Sequence, residues 1–215
     1  MPQLFPKKAN VLPLLSLVGA LLGGMLLIFV VWYYFSPEYT EVGYAPEQPV
    51  PYSHRLHAGQ LGIDCQYCHS NVEMAATANV PPTQTCMNCH AQIQTESLNL
   101  LPVRESWATG DPVEWIKVSF LPDYVQFSHA VHVTNGVGCE TCHGRLDQME
   151  VVAQVEPLSM GWCLDCHREP EQYLRPDDAA TTMGYEHPPD YLERNLQRIE
   201  REEIQPPTNC SACHY

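Results

Sequence analysis

The hydrophobic pattern divides the chain at once. From Val11 to Phe35 there are 25 residues without a charged side chain, apolar or aromatic apart from Pro13, Ser16, Gly19, Gly23 and Gly24. About 20 such residues cross a bilayer core as a helix, so the pattern predicts a membrane-spanning helix. It ends in Trp32, Tyr33, Tyr34 and Phe35, residues suited to a membrane–water interface. A cleaved leader has a shorter apolar stretch and a small-residue cleavage site; this run has neither property, which favours an uncleaved anchor. Lys7 and Lys8 precede it, and no Lys or Arg follows until Arg55. By the positive-inside rule the N-terminus is cytoplasmic and the rest lies across the membrane.

The remainder is polar and punctuated by proline. Ser36 to Pro51 holds Pro37, Pro46, Pro49 and Pro51 and reads as an extended tether. One later segment carries a helical pattern: after Pro188-Pro189, with Asp190 as N-cap, Leu192, Leu196 and Ile199 share one face and charged residues the others. The expected division is an anchor segment 1–35, a tether 36–51 and a folded domain 52–215.

Charge narrows the function. The chain carries a formal −14, and beyond position 35 it holds 9 basic against 25 acidic residues, a net −16. Phosphate recognition needs a Lys/Arg surface, so nucleic-acid binding is excluded as a working class.

The ten cysteines fall as Cys65/Cys68, Cys86/Cys89, Cys139/Cys142, Cys163/Cys166 and Cys210/Cys213. Every pair is C-x-x-C, and every pair is followed at once by histidine: His69, His90, His143, His167 and His214. C-x-x-C-H is the attachment signature of c-type haem. Two thiols three residues apart leave one side of a single helical turn and reach the two vinyl groups on one porphyrin edge; the next residue then lies under the ring, where its imidazole ligates iron. Structural zinc also uses C-x-x-C pairs, and redox dithiols use a single one. Neither requires histidine directly after the second cysteine. With no cysteine left over, the expected cofactor is five covalently bound haem c.

Four further histidines form two H-x-x-H pairs. Tyr52-Ser53-His54-Arg55-Leu56-His57 precedes the first motif, and Phe127-Ser128-His129-Ala130-Val131-His132 the third. Each pair lies downstream of an aromatic-Ser and upstream of a glycine, Gly62 or Gly136, three residues before a cysteine. The chain therefore contains a duplicated two-haem unit, 52–90 and 127–167, with a fifth haem at 210–214. His54, His57, His129 and His132 are expected as distal iron ligands. A second axial imidazole gives a six-coordinate iron with no position for substrate.

H-x-x-H ahead of C-x-x-C-H resembles the class III multihaem cytochromes. The segments WIKVSFLPDYVQFSHAVHV (115–133), GCETCHG (138–144) and PLSMGWCLDCHR (157–168), behind an N-terminal anchor, resemble the membrane-anchored pentahaem subunit of alternative complex III, a bacterial quinol:electron-acceptor oxidoreductase. The resemblance implies an inner-membrane protein with a periplasmic haem domain. It implies partners: an iron–sulfur subunit like the molybdopterin oxidoreductases, polytopic quinol-binding subunits, and a monohaem cytochrome c or terminal oxidase. It also implies that His54 caps the haem of His69, His57 that of His90, His129 that of His143 and His132 that of His167. The class III layout takes one more ligand from just before a second haem motif, which here is Met160; His187, Met149 and Met183 are the other candidates for the fifth haem.

About 165 residues around five haems cannot build an ordinary apolar core. The expected fold is mostly irregular and α, with little regular secondary structure. It comprises an N-terminal transmembrane helix and a class III-like multihaem domain, with Trp107, Trp115 and Trp162 packing around the cofactors. The expected role is an electron carrier without a substrate site of its own. The competing readings are a multihaem reductase, which needs an open iron position, and a self-sufficient anchored quinol dehydrogenase. The second is disfavoured by a single anchor with no ionisable residue inside it.

Overall fold

The computed structural model describes residues 6–215; the first five residues of the anchor segment lie outside them. The chain divides into two compact units at Glu41/Val42. In the first, a 3₁₀ turn, Lys7–Val11, leads into helix α1, Leu12–Tyr34. Pro13 stands in its first turn, where the missing N–H costs nothing. At 1.5 Å per residue α1 is about 35 Å long, enough for a hydrocarbon core of about 30 Å. None of its residues is buried, and it is a candidate membrane anchor. A short helix α2, Pro37–Thr40, follows, and Tyr39 packs edge-on against Tyr34 with ring centres 4.7 Å apart.

The second unit, Val42–Tyr215, is built from short helices and turns. Among the described residues there is no strand, only two isolated antiparallel bridges, Val125 with His214 and Val137 with Leu174. Residues 42–51, within the stretch read as tether, are hydrogen-bonded to this unit. Gly43 N–H donates to Gln154 O (2.7 Å) and Gln154 N–H to Tyr44 O (3.0 Å). The Gln48 side chain pairs reciprocally with the backbone of Ile116, and Val50 is buried.

The apolar core is sparse. Among the described residues the buried apolar ones are Val50, Val72, Val103, Val133, Leu174, Ala179 and Ala180, all aliphatic, and no large side chain is fully enclosed. Val72, Val133 and Ala180 form the central contact, with Ala78 against it.

The longest helix of this unit, α9, covers Tyr191–Glu202, close to the span expected after Pro188-Pro189, but the expectation about its cap is corrected. Asp190 occupies the N-cap position without accepting a helix N–H; its carboxylate instead pairs with Arg194 one turn later (2.7 Å). The buried positions are Asn195 and Arg198, while Leu192 and Leu196 are exposed. The reason is polar. The Asn195 amide donates to Glu171 O (2.7 Å) and Leu174 O (2.8 Å), and Arg198 donates to Arg175 O (2.7 Å) and pairs with Asp177 and Glu202. Irregular chain beneath α9 offers carbonyls, so the face that meets it is the one with donors.

Candidate functional site

Each C-x-x-C-H motif begins on a short helical turn. The turns are α3 (Cys65–Cys68), α4 (Thr83–His90), α7 (Cys139–His143), α8 (Met160–Arg168) and α10 (Cys210–Cys213), with α5 (Leu101–Thr109) and α6 (His129–Thr134) between them. Local sequence starts these turns. Asp64 accepts from Gln66 N–H (2.7 Å) ahead of α3, and Ser159 from Trp162 N–H (3.3 Å) ahead of α8, both at N-caps. The histidine N–H donates back to the first cysteine carbonyl in the first motif (2.8 Å) and the fifth (2.9 Å). Both thiols thus leave one turn, with the imidazole immediately after.

Gly62 and Gly136, the repeated glycines, share a left-handed conformation, with φ +66° and +78°, which glycine adopts without a Cβ penalty. A Cβ on Gly136 would also overlap Arg175 O.

The paired histidines come to the motifs. His57 lies opposite His90 with ring centres 6.2 Å apart, His129 opposite His143 at 6.3 Å, and His132 opposite His167 at 6.0 Å. A ring centre sits about 3 Å from a metal bound at its nitrogen, so two imidazoles on opposite sides of one ion have centres about 6 Å apart. His54 lies beside His69. Burial, then the neighbouring His69, His57 and His143, push its pKa down to about 4. His143 is likewise lowered to about 4 by burial and by His129 and His69, and His132 is lowered by burial. These sites favour the neutral imidazole, the form that ligates metal.

Most of these rings have one nitrogen already engaged. Nδ1 faces a backbone carbonyl in His57 (Ser53, 2.9 Å), His69 (Asn79, 2.6 Å), His90 (Ile93, 3.1 Å), His129 (Ala76, 2.9 Å), His132 (Ser128, 2.8 Å) and His167 (Pro207, 2.7 Å). A carbonyl only accepts, so Nδ1 carries the proton and the Nε2 lone pair is available to a metal. His54 Nδ1 is buried and unpartnered.

Two contributions escaped the sequence reading. Tyr52 stacks on His57 (4.5 Å) and meets His54 edge-on (4.8 Å); Phe127 does the same to His132 (4.7 Å) and His129 (4.9 Å). The repeated aromatic-Ser was the available signal: the ring orients both imidazoles and the serine carbonyl fixes the second. The other is Arg175, whose side chain is 6 % exposed. It pairs with Glu140 inside the third motif (2.6 Å) and donates to Thr182 O (3.0 Å); no local pattern marks it.

The thiols also meet across motifs. Interaction with Cys139 holds the Cys65 thiol low, and interaction with Cys65, with burial, raises that of Cys139. Burial and then neighbouring thiols raise Cys68 beside Cys86, Cys142 beside Cys166 and Cys163, and Cys163 beside Cys213. Of the candidates for the last ligand, Met160 is 65 % exposed at the start of α8. His187 packs between Tyr185 (5.2 Å) and Tyr191 (4.3 Å). His214 lies near Tyr124, 5.8 Å between ring centres.

Comparison with known proteins agrees with this arrangement. Residues 125–215 match the family "Cytochrome c7 and related cytochrome c". The chain is also similar to the multiheme cytochrome c subunit of menaquinone reductase from Nitratidesulfovibrio vulgaris, 36 % identical over 98 residues. That stretch covers 45 % of this chain and 46 % of the relative, so the match spans less than half of either protein. The stretch that matches the cytochrome c7 family holds the third, fourth and fifth motifs and two of the three pairs of facing imidazoles.

Proposed function

We propose that this chain is the electron-carrying subunit of a membrane-bound quinol:acceptor oxidoreductase, holding five haem c. Cys65/Cys68, Cys86/Cys89, Cys139/Cys142, Cys163/Cys166 and Cys210/Cys213 would form the thioethers. His69, His90, His143, His167 and His214, with His54, His57, His129, His132 and Met160, would hold the irons. Haem supplies iron that cycles between ferrous and ferric states by one electron. The observation that carries this reading is the spacing of 6.0–6.3 Å between three pairs of facing imidazoles. Two axial side chains close an iron to substrate, which favours a carrier over a reductase.

The protein's own part is positional. Backbone carbonyls hold the Nδ1 protons and aim Nε2 inward, Tyr52 and Phe127 restrain the distal rings, and the short turns fix the thiol spacing. Met160 is the proposed ligand at the fifth site because it opens α8 one turn before Cys163, whose thiol neighbours Cys213.

The multihaem relative is named as a subunit of a menaquinone reductase, which supports a place in a larger quinone-linked assembly. Resemblance extends the proposal to alternative complex III. The partners would be a molybdopterin-oxidoreductase-like iron–sulfur donor, polytopic quinol-binding subunits, and a monohaem cytochrome c or oxidase as acceptor. The anchor would sit in the bacterial inner membrane with the haem domain periplasmic.

The test is purification in mild detergent, with haem quantified by pyridine haemochrome and spin state read by EPR. Five low-spin haems per chain in a band with polytopic subunits are expected. A high-spin, ligand-binding haem in the isolated complex would favour the reductase.

A further inference from the structure

We infer that the five attachment motifs form one unbranched line in the order second, first, third, fourth, fifth, with Cys86–His90 and Cys210–His214 at its ends. The inference rests on the proposed reading that each motif holds a haem c, and it adds the route through the molecule. Sequence order alone would place the first motif at an end.

Each joint is carried by contacts of named residues. The second and first motifs touch where Asn88, inside C-M-N-C, donates to the Tyr67 hydroxyl, inside C-Q-Y-C (3.2 Å). Two neighbouring residues join the first motif to the third. Thr181 donates its hydroxyl to Asp64 (3.0 Å) and its carbonyl oxygen lies 3.8 Å from Cys65 Sγ, while the Ala180 carbonyl accepts from Cys139 N–H (3.0 Å). A second tie runs beside it. The Ala76 carbonyl, just past the first motif, accepts from both N–H and Nδ1 of His129, the histidine opposite His143, and Ala75 O accepts from Ala130 N–H.

The third and fourth motifs share helix α6, whose His129 and His132, three residues apart and so on one face, lie opposite His143 and His167 respectively. The fourth joins the fifth where His167 Nδ1 donates to Pro207 O (2.7 Å), three residues before Cys210. The duplicated units therefore meet head to head: their first motifs touch, and their second motifs point outward.

Exposure agrees independently. Of the ten cysteines, only Cys89 and Cys210 are exposed, and they belong to the second and fifth motifs. One-electron partners outside the chain would meet it at those two ends, so the donor and the acceptor need not compete for one surface.

The experiment uses the full-length, haem-loaded protein in detergent. A photo-cross-linking residue, p-benzoylphenylalanine, replaces Tyr67, Thr181 or Pro207 in turn, and cross-linked peptides are identified by mass spectrometry. Tyr67 should capture the peptide bearing Cys86–His90. Thr181 should capture those bearing Asp64 and Cys139, and Pro207 the one bearing His167. Capture of a third, fourth or fifth motif from position 67, or no capture of the second, overturns the order.

A potentiometric titration is the second measurement. Cys86→Ala/Cys89→Ala removes an end and should shift the potential of one remaining haem. Cys139→Ala/Cys142→Ala removes the middle and should shift two. Two or more shifts from the first variant overturn the line. A parent protein with fewer than five haems would instead remove the reading beneath it.

Discussion

His129 and His143 face one another with ring planes 6° from parallel and centres 6.3 Å apart. The two rings reach this position by different routes. His143 follows its cysteine pair on one helical turn. His129 is held from a distant part of the chain, its backbone N–H and its Nδ1 both directed at Ala76 O. His129→Ala should therefore free one side of one iron and leave the attachment untouched. The expected outcome is one high-spin haem in EPR with the pyridine haemochrome count still at five. An unchanged low-spin population would remove His129 from the ligand set.

The aromatic rings that open each H-x-x-H unit should act through the imidazoles they touch. Phe127 contacts both His129 and His132. Such ring pairs contribute about 0.5–1.5 kcal/mol beyond the area they bury. Phe127→Leu should retain all haems but broaden or shift the low-spin EPR signals of two of them and lower the melting temperature slightly. Phe127→Tyr, which keeps the ring, should restore the signals. A change confined to stability, with unaltered EPR, would make the ring mere packing.

What could be read without coordinates was set by local chemistry. A C-x-x-C-H motif states its own geometry because all its atoms lie within one turn, and the repeat of Tyr52 to His57 in Phe127 to His132 marked out histidines that the fold brings to the motifs. The scarcity of strands was legible from the number of haem-type motifs per residue. The orientation of α9 was not. Its leucines spell an apolar face, yet Asn195 and Arg198 are the buried positions, because the carbonyls of Glu171, Leu174 and Arg175 need donors. A hydrophobic pattern carries no information about which carbonyls lie beneath a helix. Arg175 was invisible for the same reason: its partners Glu140 and Thr182 are set by tertiary contact.

Arg175 offers a test of that hidden polar layer. Its guanidinium is almost enclosed and pairs with Glu140, whose side chain is 14 % exposed. Removing one partner of a buried pair strands the other and costs about 3–5 kcal/mol. Arg175→Met should lower thermal stability by about that amount, and Arg175→Lys should rescue little, since a point charge cannot reach Glu140 and Thr182 O together. The Arg175→Met/Glu140→Gln double variant should recover part of the loss. Full additivity of the two single effects would show that the pair is not coupled.

Orientation follows from two lysines. Lys7 and Lys8 are the only basic residues before α1, and Arg55 is the next. Positive flanks are retained in the cytoplasm, so residues beyond the helix should be periplasmic, where oxidising conditions and haem attachment are available. A reporter active only in the periplasm, fused after Tyr215, should be active. Lys7→Glu/Lys8→Glu should reduce both the reporter signal and the haem content. Full haem loading with a cytoplasm-only reporter would reject the topology.

The fifth site separates two ligand chemistries. His214 follows the Cys210/Cys213 turn and faces Tyr124, while His57, His129 and His132 lie opposite histidines of other motifs. His187 is engaged elsewhere: its ring lies between Tyr185 and Tyr191, and Arg175 is the charge that acts most strongly on it. Met160 is exposed at the head of α8, one turn ahead of a thiol that neighbours Cys213. Thioether ligation raises a haem potential relative to a second imidazole. The haem at Cys210–His214 should then have the highest potential of the five, making that end of the chain the exit for electrons. Met160→Ala should abolish the methionine–sulfur charge-transfer band and convert one haem to high spin. His187→Ala should leave both features as they are. Loss of the highest-potential wave in His187→Ala, with Met160→Ala unchanged, would transfer the ligand to His187 and remove the thermodynamic reason for exit at that end.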